Sequence, residues 1–272
     1  MIKNSFRAIF LGLAVTVVPT VLWAVLIGIN MKRTPSVPWA VAAMGIVLWI
    51  YWRCVSAGQA RRLSSIGSPT PAVWRASLLA GGVAIASVWA LFASLRGLLH
   101  IQAPSDDMSR IPITTVIAAV LMGAAVAAIT EEVGFRGFMQ QGLERVHGPK
   151  IAIGVTALLF TLAHLTHGAA ILPFLPFFFA AGLIYGLLTY FTGSILPAMT
   201  LHFIGDVMLF ATRYAAARQG VTATPGAISI GPAIDFVILA VLSVIAFRFL
   251  ARQKNGTLPP RSLFATLMSI SI

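Results

Sequence analysis

Eight stretches of this chain hold almost no charge and run for about the 17–25 residues that a helix needs to cross a bilayer. They lie at about 8–29, 38–55, 76–95, 111–135, 150–166, 170–191, 195–212 and 233–250. Backbone N–H and C=O groups in hydrocarbon must be satisfied within the protein, so only a helix bundle or a closed barrel can result. No apolar/polar alternation of strand period is sustained, which leaves helices. Composition agrees: 10% of residues are charged, against about 25% in a soluble domain. The expectation is an all-α, polytopic membrane bundle of about eight transmembrane helices, a single membrane domain over 1–272.

Charge placement orients such a bundle. The net charge of +12 raises nucleic acid as a partner, but the cations sit in short loops between apolar runs, where they serve membrane topology. One side collects Lys3, Arg7, Arg53, Arg61, Arg62, Arg75, Arg136, Arg145, Lys150, Arg248, Arg252, Lys254 and Arg261, 13 in all. The other collects Lys32, Arg33, Arg96, Arg110, Arg213 and Arg218, 6 in all. The positive-inside rule then puts both termini in the cytoplasm of a cell whose plasma membrane, the inner membrane in a bacterium, holds the protein. Lys3 and Arg7 precede the first run as they would in a signal peptide. No small-x-small cleavage site precedes Met31, so this run is read as a helix. The connectors 56–73, 97–110 (with Asp106 and Asp107) and 213–232 are expected as loops, and 251–272 as a cytoplasmic tail whose apolar end, Leu263–Ile272, is too short to span. The single cysteine, Cys54, permits no internal disulfide.

The chain has only seven acidic residues, and two of them, Glu131 and Glu132, close the run Ile111 to Thr130. An acidic residue at mid-bilayer costs about 2.5–3.5 kcal/mol, so such a pair calls for a function. On a helix Glu132 and Arg136 are i,i+4 neighbours and can pair, while Glu131 points about 100° away and is left for another task. His164 lies on the following span. It stands sixteen residues after Gly148 and Glu132 sixteen before it, which in an antiparallel hairpin is a matched height of roughly 24 Å. On span seven, His202 and Asp206 are again i,i+4. Two imidazoles and two carboxylates on three helices could bind a divalent metal or activate a water directly. His147 and His167 are read as surface histidines, and Asp235 as an interfacial charge at the start of span eight.

The motifs Glu131-Glu132-x-x-x-Arg136, Phe160-x-x-x-His164 and His202-x-x-x-Asp206, with the lead-in Gly193-Ser194-Ile195-Leu196-Pro197, resemble those of the type II CAAX prenyl endopeptidases. The wider group is the CAAX protease and bacteriocin-processing (ABI) family of intramembrane proteases. The resemblance covers about 113–210, spans four to seven, which it marks as a catalytic core. It implies an intramembrane endopeptidase that cleaves a membrane-associated peptide or protein substrate, with Glu131, His164, His202 and Asp206 catalytic and Glu132 and Arg136 in support. The family is described both as metal-dependent and as using a glutamate without metal. If metal is used, the same four residues are its ligands and Zn²⁺ suits them best. One position departs: the last is commonly Asn and here is Asp206. The rival readings are a proton- or ion-coupled transporter, since Glu, His and Asp inside spans also build proton relays, and a non-catalytic membrane partner. The absence of inverted repeats speaks against the transporter.

Overall fold

The computed structural model describes residues 2–63, 69–98, 111–218 and 231–254. Among these residues every regular element is helical. In chain order they are α1 (Ile2–Arg33), α2 (Trp39–Leu63), α3 (Pro71–Leu98), α4 (Ile113–Glu131), a π-helical segment (Glu132–Gln140), α5 (Gln141–His147), α6 (Pro149–Ala163), two short 3-10 turns (His164–His167 and Ala169–Phe174), α7 (Leu175–Thr192), α8 (Leu196–Arg218) and α9 (Gly231–Lys254). The all-α expectation holds. Of the expected loops and tail, 64–68, 99–110, 219–230 and the residues beyond Lys254 lie outside the described residues, whereas 56–63, 97–98 and 213–218 are helical and continue α2, α3 and α8.

Among the described residues six helical stretches are long and apolar enough to cross a membrane: Lys3–Arg33, Pro71–Leu95, Ile113–His147, Pro149–His167, Ile171–Thr192 and Gly231–Gln253. Helices of this length and composition mark an integral membrane protein. Two of the eight expected spans are not among the six. The second lies on α2, which runs Trp39–Leu63 and carries the apolar stretch Trp39–Cys54. The seventh lies on α8, where His202, Asp206 and Arg213 dilute the apolar character. The fourth runs on past residue 135, because α4, the π segment and α5 are continuous over 35 residues, Ile113–His147. Arg136 therefore leaves the tally of loop cations; it is fully buried inside this helix.

The contacts divide the chain into two compact units. The first contains α1, α2, α4, the π segment, α5 and α8 from His202 onward. Met44, Leu48 and Val126 form an apolar core there, with Trp23, Leu26 and Met122 packed against them. Asn30 closes the turn from α1 into α2: its side-chain amide donates to the Thr34 and Val37 carbonyls and its oxygen accepts from the Ala40 N–H. The second unit contains α3, α6, the 3-10 turns, α7, α9 and the start of α8. Its core joins Ala84, Ala181, Ile184, Tyr185, Leu188, Ala198 and Leu250. In both units large apolar side chains such as Val18, Trp49, Val237 and Val241 face outward, as surfaces that contact lipid do.

Candidate active site

The first unit brings Glu131, Glu132, Arg136, His202 and Asp206 together. Glu132 is the hub. Its Oε1 accepts from Arg136 Nη1 at 3.0 Å and from His202 Nδ1 at 2.9 Å, and both Glu132 and Arg136 have side chains 0% exposed. A buried carboxylate or guanidinium is tolerated only when paired and hydrogen-bonded, and here each supplies the other. Glu132 does more than the expected pairing with Arg136, because it also fixes the imidazole of His202. With Nδ1 directed at Glu132, the other ring nitrogen, Nε2, is turned towards two further carboxylates. It stands 3.9 Å from Glu131 Oε2 and 3.6 Å from Asp206 Oδ2. Those separations are too long for direct hydrogen bonds and within reach of a shared water.

The two adjacent glutamates are thus in different settings. Glu132 is sealed, whereas the Glu131 side chain is 16% exposed. Oε2 of each makes no hydrogen bond among the described residues, so it is exposure, and not spare hydrogen-bonding capacity, that separates Glu131 from Glu132.

Backbone geometry sets this arrangement. At Glu132 the α-helix widens into a π-helix that lasts to Gln140; such segments are rare and concentrate at functional sites. The Thr130 carbonyl, in the last turn before the widening, accepts from the Thr16 hydroxyl of α1 at 3.2 Å, and the Thr20 hydroxyl meets that of Thr130 at 3.2 Å. α1 comes this close because residue 134 is glycine. A Cβ there would land on the Thr16 hydroxyl and within 2.5 Å of the Gly12 carbonyl oxygen. Gly12 and Thr16 escape a reading that looks only for ionisable groups. Their spacing, small-x-x-x-small on an apolar helix, is the signal that marks them as a packing seam.

The remaining histidines separate by setting. His164 belongs to the second unit, at the point where α6 tightens into a 3-10 turn. Its Nδ1 lies 2.8 Å from the Phe160 carbonyl oxygen, and its ring stacks on Phe178 at 3.8 Å between centroids. The Phe160 and His164 rings also meet at 4.7 Å between centroids, an i,i+4 side-chain contact that the spacing of the Phe160-x-x-x-His164 motif provides. His167 is exposed, as expected, and Asp235 and Cys54 are exposed too. His147 is a correction. It is half-buried and its Nε2 lies 2.9 Å from the Ser5 hydroxyl, so it ties α5 to α1 instead of facing solvent.

Residues 112–208 match the family model for type II CAAX prenyl endopeptidase, Rce1-like. This Rce1-like segment carries all three motifs and nearly coincides with the stretch 113–210 that the motifs mark out. No curated protein and no solved structure matches the chain. The match supports protease activity on a membrane-associated substrate. The donor set is a separate matter. Among the described residues no group of three or more His, Cys, Asp or Glu side chains is arranged to hold a metal ion. The bond from His202 Nδ1 to Glu132 leaves Nε2 open to a water or to a metal alike, and no step below is routed through a metal.

Proposed function

We propose that the protein is an intramembrane endopeptidase in which Glu131 activates a water for attack on a peptide bond. The observation that carries this reading is the placement of His202 Nε2 between Glu131 and Asp206 at 3.9 and 3.6 Å, distances suited to a water held by all three groups. Glu131 takes a proton from that water as the oxygen attacks the scissile carbonyl carbon, then returns it to the leaving amine. His202, as the imidazolium, keeps its Nδ1–H on Glu132 and donates its Nε2–H to the oxyanion that forms. Asp206 orients the ring and the water from the other side. Its carboxylate stands where the family commonly has Asn, and it adds an acceptor for the water. His164 enters from its motif: it is required for cleavage, and its bond to Phe160 fixes the ring.

The substrate class is a membrane-associated peptide or protein. The protein sits in a plasma membrane, the inner membrane of a bacterium, with both termini in the cytoplasm. Removing Arg136 from the loop cations leaves the charge asymmetry in place. Reporter fusions after Lys32 should read the outer side, and after Arg145 and Lys254 the inner; the reverse pattern would invert the topology.

The central test is Glu131→Gln. Comparing membrane-protein termini in cells with the wild-type and Glu131→Gln proteins should show a set of cleaved termini that only the wild type produces. The loss expected on removing a general base is about 10²–10⁴-fold, with yield and monodispersity unchanged. Cleavage that survives in Glu131→Gln would remove Glu131 from the mechanism. Cleavage that a chelator stops and Zn²⁺ alone restores would replace the metal-free route.

A further inference from the structure

A second feature of the first unit lies away from the Glu132–His202 cluster, where the start of α1 meets the end of the π segment and α5. A cleft of about 460 Å³ opens there, lined by Asn4, Arg7, Gly137, Phe138, Gln141 and Arg145 among others. That volume lies within the roughly 300–1,000 Å³ of small-molecule sites. Its walls are fixed in place. The Ser5 hydroxyl bonds His147 across the two helices, and Gly142 lies so close to Ala8 that a Cβ at 142 would collide with it.

Three observations give the chemistry of an occupant. None of the described residues lining the cleft is acidic, and two of them are arginines that make no ion pair or side-chain hydrogen bond among the described residues. Two guanidiniums with amides from Asn4 and Gln141 are the donors that an anionic oxygen group takes, and phosphate above all. The second observation is depth. Arg7 and Lys32 lie 25 positions apart on α1, about 38 Å at 1.5 Å per residue. The hydrocarbon core is about 30 Å thick, and about 40–45 Å with the headgroups, so Arg7 stands in the headgroup layer. The third is the flank. Phe6 and Phe10, stacked at 6.4 Å, are 70% and 61% exposed on α1 on either side of Arg7 in sequence. They offer acyl chains an apolar surface beside the basic cleft.

We infer that this cleft binds the phosphate headgroup of an anionic phospholipid, held between Arg7 and Arg145, with its acyl chains on the Phe6–Phe10 face. Basic pockets between membrane helices bind such headgroups. The site does not depend on the protease reading. It touches it at one place, because Gly137 and Phe138 belong to the π segment that also carries Glu132 and Arg136. An occupied cleft braces that segment.

The test uses the full-length protein in detergent and measures thermal unfolding and lipid retention by native mass spectrometry, with phosphatidylglycerol, phosphatidylcholine or inorganic phosphate added. Phosphatidylglycerol should raise the unfolding midpoint and stay bound; phosphatidylcholine and inorganic phosphate should do neither. Taking each arginine as about 5-fold in affinity, Arg7→Gln with Arg145→Gln should weaken phosphatidylglycerol binding about 25-fold. Both side chains are exposed, so the double variant should fold. Lys32→Gln with Arg33→Gln, which removes two charges from the opposite end of α1, should bind as the wild type does. An equal response to inorganic phosphate would make this a soluble-anion site and overturn the lipid assignment. Full retention of phosphatidylglycerol by the arginine double variant, or equal loss in the Lys32/Arg33 control, would overturn the site.

Discussion

Two of the three motifs sit where an α-helix stops being one, and they depart in opposite senses. At Glu132 the helix widens into nine residues of π-helix; at His164 it tightens into four residues of 3-10 helix. The first break is buried. Glu132, Arg136 and Gln140 are 0% exposed and bond to neighbours in place of water. The second break is open: residues 165–168 are exposed and their polar bonds stay local, as in Thr166 to the Ala163 carbonyl at 2.9 Å. A buried irregularity must be satisfied by side chains from elsewhere and so commits the fold around it. An exposed one commits little beyond its own turn.

The largest difference should appear on removing a polar partner from each. Arg136→Ala leaves the Glu132 carboxylate buried without its guanidinium, which costs about 3–5 kcal/mol. It should collapse the yield of monodisperse protein, with activity lost through the fold. Thr166→Ala in the 3-10 turn should stay within about 0.5 kcal/mol, as exposed substitutions do. Equal losses of folded yield would show that burial is not what distinguishes the two breaks.

The sequence makes one side of this comparison legible and hides the other. Glu132 and Arg136 are spaced to pair on any helix, and the cost of charge near lipid gives them away. His202 and Asp206 are legible for the same reason. The Glu132–His202 bond is not, because it joins residues 70 apart, and no local period encodes which helix lies opposite. The π segment is hidden too: nothing in Glu132–Gln140 rules out an ordinary α-helix, and the widening becomes visible only with α1 lying against Gly134. His147 is legible as polar but not as half-buried, since its partner Ser5 is 142 positions away. The span on α8 shows the reverse: the polar groups that make it a candidate for chemistry also lower its hydropathy as a membrane helix.

The same substitution should hurt both breaks for different reasons. Gly134→Ala puts a methyl against the Thr16 hydroxyl and the Gly12 carbonyl, so the cost is overpacking, about 1–3 kcal/mol or more, and α1 must move. Gly168 follows the 3-10 turn at φ 84 and ψ −178 with nothing within 4 Å of a Cβ. Gly168→Ala therefore costs backbone strain alone, about 1–3 kcal/mol. Disulfide trapping separates the causes. With cysteines introduced along the α1 and π-segment seam, Gly134→Ala should slow cross-linking and Gly168→Ala should not. Unchanged cross-linking in Gly134→Ala would mean the seam accepts a side chain, and the close approach of α1 would not be needed.

The smallest effect isolates one hydrogen bond. Thr16→Val keeps the shape of a buried side chain and removes the hydroxyl that lies 2.9 Å from the Gly12 carbonyl and 3.2 Å from that of Thr130. The Gly12 carbonyl loses little, since helix interiors already bond it. The Thr130 carbonyl, at the start of the widened turn, loses a partner that lipid cannot replace. A buried acceptor deprived of its donor costs about 1–3 kcal/mol, and for a chain of this size each kcal/mol lowers the unfolding midpoint by about 2–4 °C. Thr212→Val on α8 is the matched control, because that hydroxyl is exposed and bonds only to carbonyls of its own helix. A drop for Thr16→Val beyond that for Thr212→Val locates the cost at the π junction. Equal drops would show that the Thr16 hydroxyl serves its own helix alone, and that the widening at Glu132 stands without support from α1.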